Sequence, residues 1–271
     1  MFLVINRQSD RNMCEEEFQV LTPLFNDIDS VLEVGCGRGG LTQFLSGICT
    51  NVTAIDISPL SVSVAKEKLR DRANVTICEM DAQNMGELSG TMFDTIVLCR
   101  TLHFLPDIPV FYKEATRLLR PGGKIVVISC PVFELSVDTA EIGALFSEFW
   151  NNTFHPQLEN YWSGKTAENF TLYCDPERTE VNGPPGMTRF QRLSLKSETG
   201  IHLVDIAQRL SDFTVVQQFL QENGMEDLMK RIEQLQGKIL RLHGLDPGDL
   251  LFEDVTLIKT VKYHVEIHSI E

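Results

Sequence analysis

The sequence predicts an α/β protein built on a parallel sheet with helices on both faces. Three observations carry that prediction. Short apolar runs recur through the first half of the chain, at Val31–Val34, Val52–Asp56, Val75–Met80, Phe93–Cys99 and Lys124–Cys130. Segments with apolar residues at helical spacing separate them. The first run opens into a glycine loop, Gly35-Cys36-Gly37-Arg38-Gly39, and then into a helical pattern. Strands joined by helical crossovers pair in parallel, and the crossovers are right-handed.

The elements follow in order. Residues 13–28 read as a leading helix with Phe18, Leu21, Leu24 and Phe25 at helical spacing, and Pro23 weakens its middle. Strand one is Val31–Val34, and Leu41, Phe44 and Leu45 begin the first crossover helix. Strand two ends at Asp56. Ser58 caps the next helix, Pro59 takes its first position, and Val62, Ala65 and Leu69 face inward. Strand three runs to Met80 and is followed by Asp81; strand four is Phe93–Cys99. A helix over Ile108–Leu119 turns Phe111, Ala115, Leu118 and Leu119 inward. Pro121-Gly122-Gly123 then turns the chain into strand five, which ends at Cys130.

Beyond Cys130 the chain becomes richer in polar and aromatic residues. A helix is predicted near 138–150, a loop at Asn182-Gly-Pro-Pro-Gly186 and strand six at Met187–Leu195. Two helices follow, one over His202–Glu222 and one with the stripe Leu228, Ile232, Leu235, Ile239 and Leu242. Asp246-Pro-Gly248 is a turn, and Thr256–Ile267 alternates as a last, antiparallel strand. No repeat or linker divides the chain. The expected organisation is a single domain over 1–271, with a core at 31–130, cap elements at about 133–250 and the final strand at 255–268.

The 271 residues carry a formal net charge of −14, which repels phosphate backbones and anionic membranes, so neither nucleic acid nor membrane is expected as a partner. No apolar run reaches the ~18 residues of a membrane span. The apolar stretch at the start is too short for a secretory signal, so a cytoplasmic location is expected. The seven cysteines form no CxxC pair and read as reduced structural thiols. No metal is expected, because His, Cys and carboxylates do not cluster at ligand spacing.

Ligands of such sheets bind beyond the carboxyl ends of the strands, here at Gly35, Asp56, Asp81 and Arg100. Glycines let the backbone turn and a ligand approach, and the following helix start adds a positive end. Glu33 lies two residues before the first glycine. A carboxylate there holds an ammonium group and repels a pyrophosphate, so an amino-acid-bearing nucleoside fits better than a dinucleotide. Within an apolar run its charge needs a ligand ammonium or helix N–H groups as partner. Asp56, 21 positions after Gly35, can accept both ribose hydroxyls, since Ser58 is the better cap. Asp81 can accept an adenine amino group. The competing readings are a capping Asp56 and a solvated turn at Asp81.

These residues, with Phe93-Asp-Thr-Ile-Val-Leu98 and Leu119-Arg-Pro-Gly-Gly123, resemble the class I S-adenosylmethionine (SAM)-dependent methyltransferases over 31–130. The resemblance implies a Rossmann-like seven-stranded, mostly parallel sheet with an antiparallel last strand and inserted helical cap elements. It implies SAM as cofactor, contacted by Glu33, Gly35, Cys36, Gly37, Asp56, Ile57, Asp81 and Ala82. Cys99 then lies beside the methionine moiety, and Arg100 and His103 beside the acceptor as catalytic candidates. The Asn/Asp-Pro-Pro-aromatic motif of base amino-group methylation is absent after strand four. His103-Phe104 resembles small-molecule methyltransferases there, although a lone His also reads as structural.

Asn160-Tyr161-Trp162 and Leu203–Ser211 resemble the trans-aconitate methyltransferase-like group. Ser163-Gly164-Lys165 and Leu210-Ser211-Asp212-Phe213 depart from it, which speaks against a tricarboxylate substrate. The expected activity is methyl transfer to a small molecule at a carboxylate oxygen, with Arg100, Arg189, Arg192 and Lys165 offsetting the acidic field. Transfer to nitrogen or carbon, and a catalytically silent SAM-binding partner, stay open. Arsenic methylation would need a thiol pair over the acceptor that the sequence lacks. Oligomeric state is not indicated.

Overall fold

A computed structural model describes residues 17–129, 140–149, 164–173, 183–184, 186–187, 189–203, 206, 219–220, 222, 224, 226–245 and 256–269. The apolar runs become β1 (Ser30–Val34), β2 (Asn51–Asp56), β3 (Val75–Glu79), β4 (Phe93–Cys99) and β5 (Leu119–Ser129). With β6 (Arg189–His202) and β7 (Thr256–Ser269) they form one seven-stranded sheet of order β3-β2-β1-β4-β5-β7-β6. β1 to β5 pair in parallel, and β7 runs antiparallel to β5 in the register Lys124↔Ser269 to Ser129↔His264. The strand order reverses between β1 and β4, which opens a crevice at their carboxyl ends. The fold is the Rossmann-like sheet that the sequence predicts.

The helices of the first half are α1 (Gly40–Ile48), α2 (Pro59–Lys68) and α3 (Ile108–Arg117). Side chains cap two of them as their sequences require. Ser58 accepts the Ser61 N–H at 3.3 Å, and Asp107 accepts the Val110 N–H at 3.0 Å. Burial follows the helical period. Phe111, Tyr112 and Ala115 of α3 pack with Leu32, Val34, Ile96 and Leu98 of the central strands. Val62 and Ala65 of α2 pack with Ala54 and Ile77. β1 is apolar at Val31, Leu32 and Val34 because it is buried along its whole length beyond Ser30.

Three elements differ from the sequence-based expectation. Around Phe18–Phe25 the chain forms a 3-10 helix, Gln19–Leu24, with Pro23 inside it. Proline withholds an N–H, and the segment still buries Phe18, Leu21, Leu24 and Phe25. At Pro121–Gly123 the chain does not turn before the strand. Phe93 pairs with Leu119 and Thr95 with Lys124, so β5 already starts at Leu119 and bulges around Gly122. β6 continues to His202, into the start of the predicted helix, because Lys196–Gly200 is polar and shows no helical stripe.

Two compact units divide the chain: residues 1–131, 165–197 and 262–271 in one, 132–164 and 198–261 in the other. The first holds the parallel sheet and most of α5 (Gly164–Tyr173). In the second, α4 (Ala140–Glu148) packs on α6 (Glu226–Leu242), burying Ile142, Phe146, Ile232, Leu235 and Ile239. Gln236 on α6 donates to the Leu203 carbonyl at 2.9 Å. Residues 13–16, Cys130, Asn160-Tyr161-Trp162, most of 204–218 and the Asp246–Gly248 turn lie outside the described residues. Among the described residues no helix is long and apolar enough to cross a membrane.

Candidate functional site at the sheet switch point

The site is built where the carboxyl ends of β1, β2, β3 and β4 meet. Gly35 follows β1, and its N–H and that of Cys36 donate to the Ile55 carbonyl at 2.8 and 3.0 Å. Its φ of +74° suits glycine, and a Cβ there would lie 2.3 Å from Thr101 Cγ2. No side chain fits. Thr101 in turn ties the end of β4 to the loop, with its hydroxyl 3.0 Å from the Cys99 carbonyl and 3.3 Å from that of Gly35.

Asp56 fixes the other side of the loop. One carboxylate oxygen accepts the Gly37 N–H at 2.8 Å and the other the Ser58 N–H at 2.9 Å. Each oxygen retains a second lone pair. A Cβ built on Gly37 would meet nothing within 4 Å, so the loop faces open space there. The Met80 N–H donates to the Asp56 carbonyl at 3.0 Å and sets the end of β3 beside that of β2. Asp81 follows; its carboxylate is exposed and accepts the Gln83 N–H at 2.9 Å. Ala82 turns its methyl into the core. Ile57 is 70% exposed, a large apolar side chain left in the open beside Asp56.

Glu33 and Cys36 lie deeper. Glu33 is 2% exposed and accepts the Thr42 hydroxyl of α1 at 2.6 Å. Burial pushes its pKa up to about 8, partly opposed by that hydrogen bond and reinforced by Asp56. The acid is therefore protonated at neutral pH until a cation reaches it. The Cys36 thiol packs among Ala54, Val62 and Ala65, and burial pushes its pKa up. The thiol also donates within the loop, to the Gly37 carbonyl at 3.7 Å.

Cys99 ends β4 and Arg100 follows with φ +56°, its N–H donating to the Ile128 carbonyl at 2.8 Å. The Arg100 guanidinium lies 3.9 Å from the carboxylate of Glu17. Glu17 is buried and accepts the Tyr263 hydroxyl at 2.7 Å. His103 sits in a short 3-10 turn, Leu102–Phe104, 7% exposed, with its ring centroid 4.1 Å from that of Phe104. Burial lowers its pKa to about 4, so the imidazole is neutral at neutral pH. Asn169 of α5 donates to the Leu105 and His103 carbonyls at 3.1 and 3.4 Å and holds this turn.

The structure thus pairs Gly35 with Thr101 and Gly37 with Asp56 through direct hydrogen bonds and sets Asp81 one strand away. Glu33 reaches α1, and His103 is closed in by Phe104. Two of the other expected cations are engaged elsewhere. Arg192 pairs with Glu266 at 2.9 Å, Lys165 faces Glu168 at 3.8 Å, and the Arg189 side chain lies outside the described residues. Among the described residues no group of three or more His, Cys, Asp or Glu could hold a metal ion. Sequence reasoning missed Glu17, Thr42, Thr101, Asn169 and Tyr263. Thr42, three residues into the helix after the glycine loop, was the most accessible of them; the others carry no local signal.

A family model described as a methyltransferase domain matches residues 32–127, from β1 into β5. Demethylmenaquinone methyltransferase of Staphylococcus aureus (strain MRSA252) is 32% identical over 182 residues, covering 62% of this chain and 70% of the relative. Ubiquinone biosynthesis O-methyltransferase of Xanthomonas oryzae pv. oryzae (strain PXO99A) is 30% identical over 115 residues, 42% of this chain and 48% of its own length. A solved methyltransferase-fold structure from Anaeromyxobacter dehalogenans superposes with a TM-score of 0.58 at 19% identity, covering 98% of this chain and 95% of the other. The first relative matches well beyond the glycine loop, and the solved structure has the same fold. The chain belongs to the class I SAM-dependent methyltransferases.

Proposed function

We propose that this protein transfers the methyl group of SAM to a small-molecule acceptor that is already anionic at neutral pH, a carboxylate oxygen foremost. One observation carries the acceptor class. His103 is 7% exposed with the Phe104 ring centroid 4.1 Å from its own, and this burial, which lowers its pKa, makes it a poor proton acceptor at neutral pH. A neutral hydroxyl would need a general base, whereas a carboxylate attacks without one. Arg100 at the end of β4 supplies positive charge on that side of the crevice.

The residues fit the cofactor. SAM, when bound, supplies a methyl group activated on a sulfonium. Asp56 uses its remaining lone pairs for the ribose hydroxyls, and Ile57 offers an exposed apolar surface to the adenine. Asp81 accepts the adenine amino group, with the Ala82 backbone beside it. Gly35 and Gly37 keep Cβ atoms out of the path, and the Cys36 and Cys99 backbones line the methionine end. Glu33 gives up its proton as the ligand ammonium approaches and holds that charge. The chain's own contribution is alignment: holding the reacting atoms in line at ~3–3.5 Å can supply ~7–11 kcal/mol.

A second reading has its own support. The relative matched over 182 residues is named demethylmenaquinone methyltransferase, which favours an acidic quinol-type carbon as acceptor. Both acceptors are anions when they react. Incubation with SAM and separate panels of carboxylic acids, quinols and amines, read by product mass and the position of the new methyl, tests the proposal. Ester formation supports the first reading, a carbon-bound methyl the second. Products from amines alone would overturn both.

A further inference from the structure

We infer that Glu17 and Tyr263 form a positioning pair that aims Arg100 at the anionic group of the methyl acceptor. The inference deepens the proposed methyl transfer and rests on it. Arg100 is the residue directly after β4, at the crevice, and takes a φ of +56° that an L-residue adopts at a cost. Its backbone N–H is tied to Ile128 on β5 at 2.8 Å. The backbone is therefore set, and what remains adjustable is the direction of a long, flexible side chain.

Glu17 sets that direction. It comes from the segment before β1, is buried, and faces the Arg100 guanidinium at 3.9 Å. A buried carboxylate is costly unless partnered, and the fully buried Tyr263 of β7 donates to the same oxygen at 2.7 Å. The ring of Tyr263 lies 6.3 Å from that of Phe18, the neighbour of Glu17, and Phe18 lies 6.1 Å from Phe44 of α1. Packing and hydrogen bonding thus hold the Glu17 carboxylate in one place. Arg100 keeps 35% of its side-chain surface exposed while its guanidinium faces the buried acid. A guanidinium orients a carboxylate through parallel N–H groups, which a wandering side chain cannot do.

Tyr263→Phe removes one hydroxyl and keeps the ring, and Glu17→Gln keeps the size of the acid while removing its charge. Arg100→Lys keeps charge but loses the fork, and it serves if either of the other two fails to fold. The probes are linear C4–C10 monocarboxylates, assayed for methyl-ester formation, and SAM itself by titration calorimetry. KM for the carboxylate is expected to rise about tenfold in each variant, as for loss of a charge-assisted contact, with SAM affinity within about twofold of wild type and, in the Glu17 and Tyr263 variants, kcat likewise. Unchanged KM in the folded variants overturns the inference. So does a KM that rises only together with a matching loss of SAM affinity, since that is general damage. Normal SAM binding by wild type with no carboxylate methylated overturns the anion anchor and leaves methyl transfer standing. Failure of wild type to bind SAM overturns both.

Discussion

Under the proposed function, the nucleoside and acceptor sides of the crevice are built differently. The nucleoside side consists of backbone and carboxylate contacts close in the sequence. Asp56 and Gly37 are 19 residues apart, and Asp56 and Ser58 only two. The acceptor side is assembled from distant side chains. Asn169 reaches His103 over 66 residues, and Tyr263 reaches Glu17 over 246. A local arrangement of glycines and one acid can serve any acceptor. A side assembled from distant parts depends on the whole fold, and under the proposed function it is the side that meets the acceptor.

The largest effect is expected where the two sides touch. Gly35→Ala puts a Cβ at φ +74° and 2.3 Å from Thr101 Cγ2. A loss of about 3 kcal/mol or more is expected, from backbone strain and overpacking together. Gly122→Ala has φ +76° with open space around the added Cβ, so only the strain of about 1 kcal/mol applies. Thermal unfolding of the pair separates clash from strain; equal losses would remove the claim that Thr101 closes on Gly35.

Asp56→Ala is expected to weaken SAM binding more than tenfold, that is by ~1.4 kcal/mol or more. It also orphans the Gly37 and Ser58 N–H groups, so a smaller stability loss accompanies it. Unchanged affinity by titration calorimetry would withdraw the ribose assignment.

Glu33 gives a pH signature. Its folded pKa, about 8, lies above the ordinary 4.5. Its contribution to stability is complete below about pH 4.5 and is lost as pH rises through 8. An ammonium ligand needs the ionised form, so SAM affinity should rise roughly tenfold from pH 6 to 7, with proton release on binding. Calorimetry in buffers of different ionisation enthalpy reads that proton. In Glu33→Gln both the release and the slope should vanish, and their persistence would place the ammonium elsewhere.

The smallest effect belongs to His103. His103→Ala is expected to lower turnover less than about tenfold and to leave SAM affinity intact, whereas loss of a general base costs ~10²–10⁴-fold. A hundredfold loss would restore it as the base. Its depressed pKa carries its own sign. The stability it contributes is present above about pH 6.5 and is lost as pH falls through 4, which acid unfolding of wild type and His103→Phe compares.

Much of the donor side could be read directly. Val31, Leu32 and Val34 are apolar because β1 is buried on both faces, and Ser58-Pro59 marks a helix start by its own chemistry. Gly35 and Asp56 stood out through spacing alone. The places where the reading slipped have physical causes. Pro121-Gly-Gly looks like a turn, yet partner strands pull it into β5 as a bulge. Lys196–His202 has no strand signature of its own and is extended within β6. The environment of His103 was also hidden, because burial and not residue type decides its charge.

The order of strands and helices, the glycine bend and the acids at the strand ends follow from the sequence by itself. They depend on period, backbone sterics and charge, all of which act between near neighbours. Only the tertiary structure decided that Thr101 closes on Gly35, that Glu33 carries a proton, that the Cys36 sulfur is buried, and that Glu17 and Tyr263 stand behind Arg100. Those outcomes depend on desolvation and on contacts between residues far apart in the chain, which come into being only when the sheet assembles.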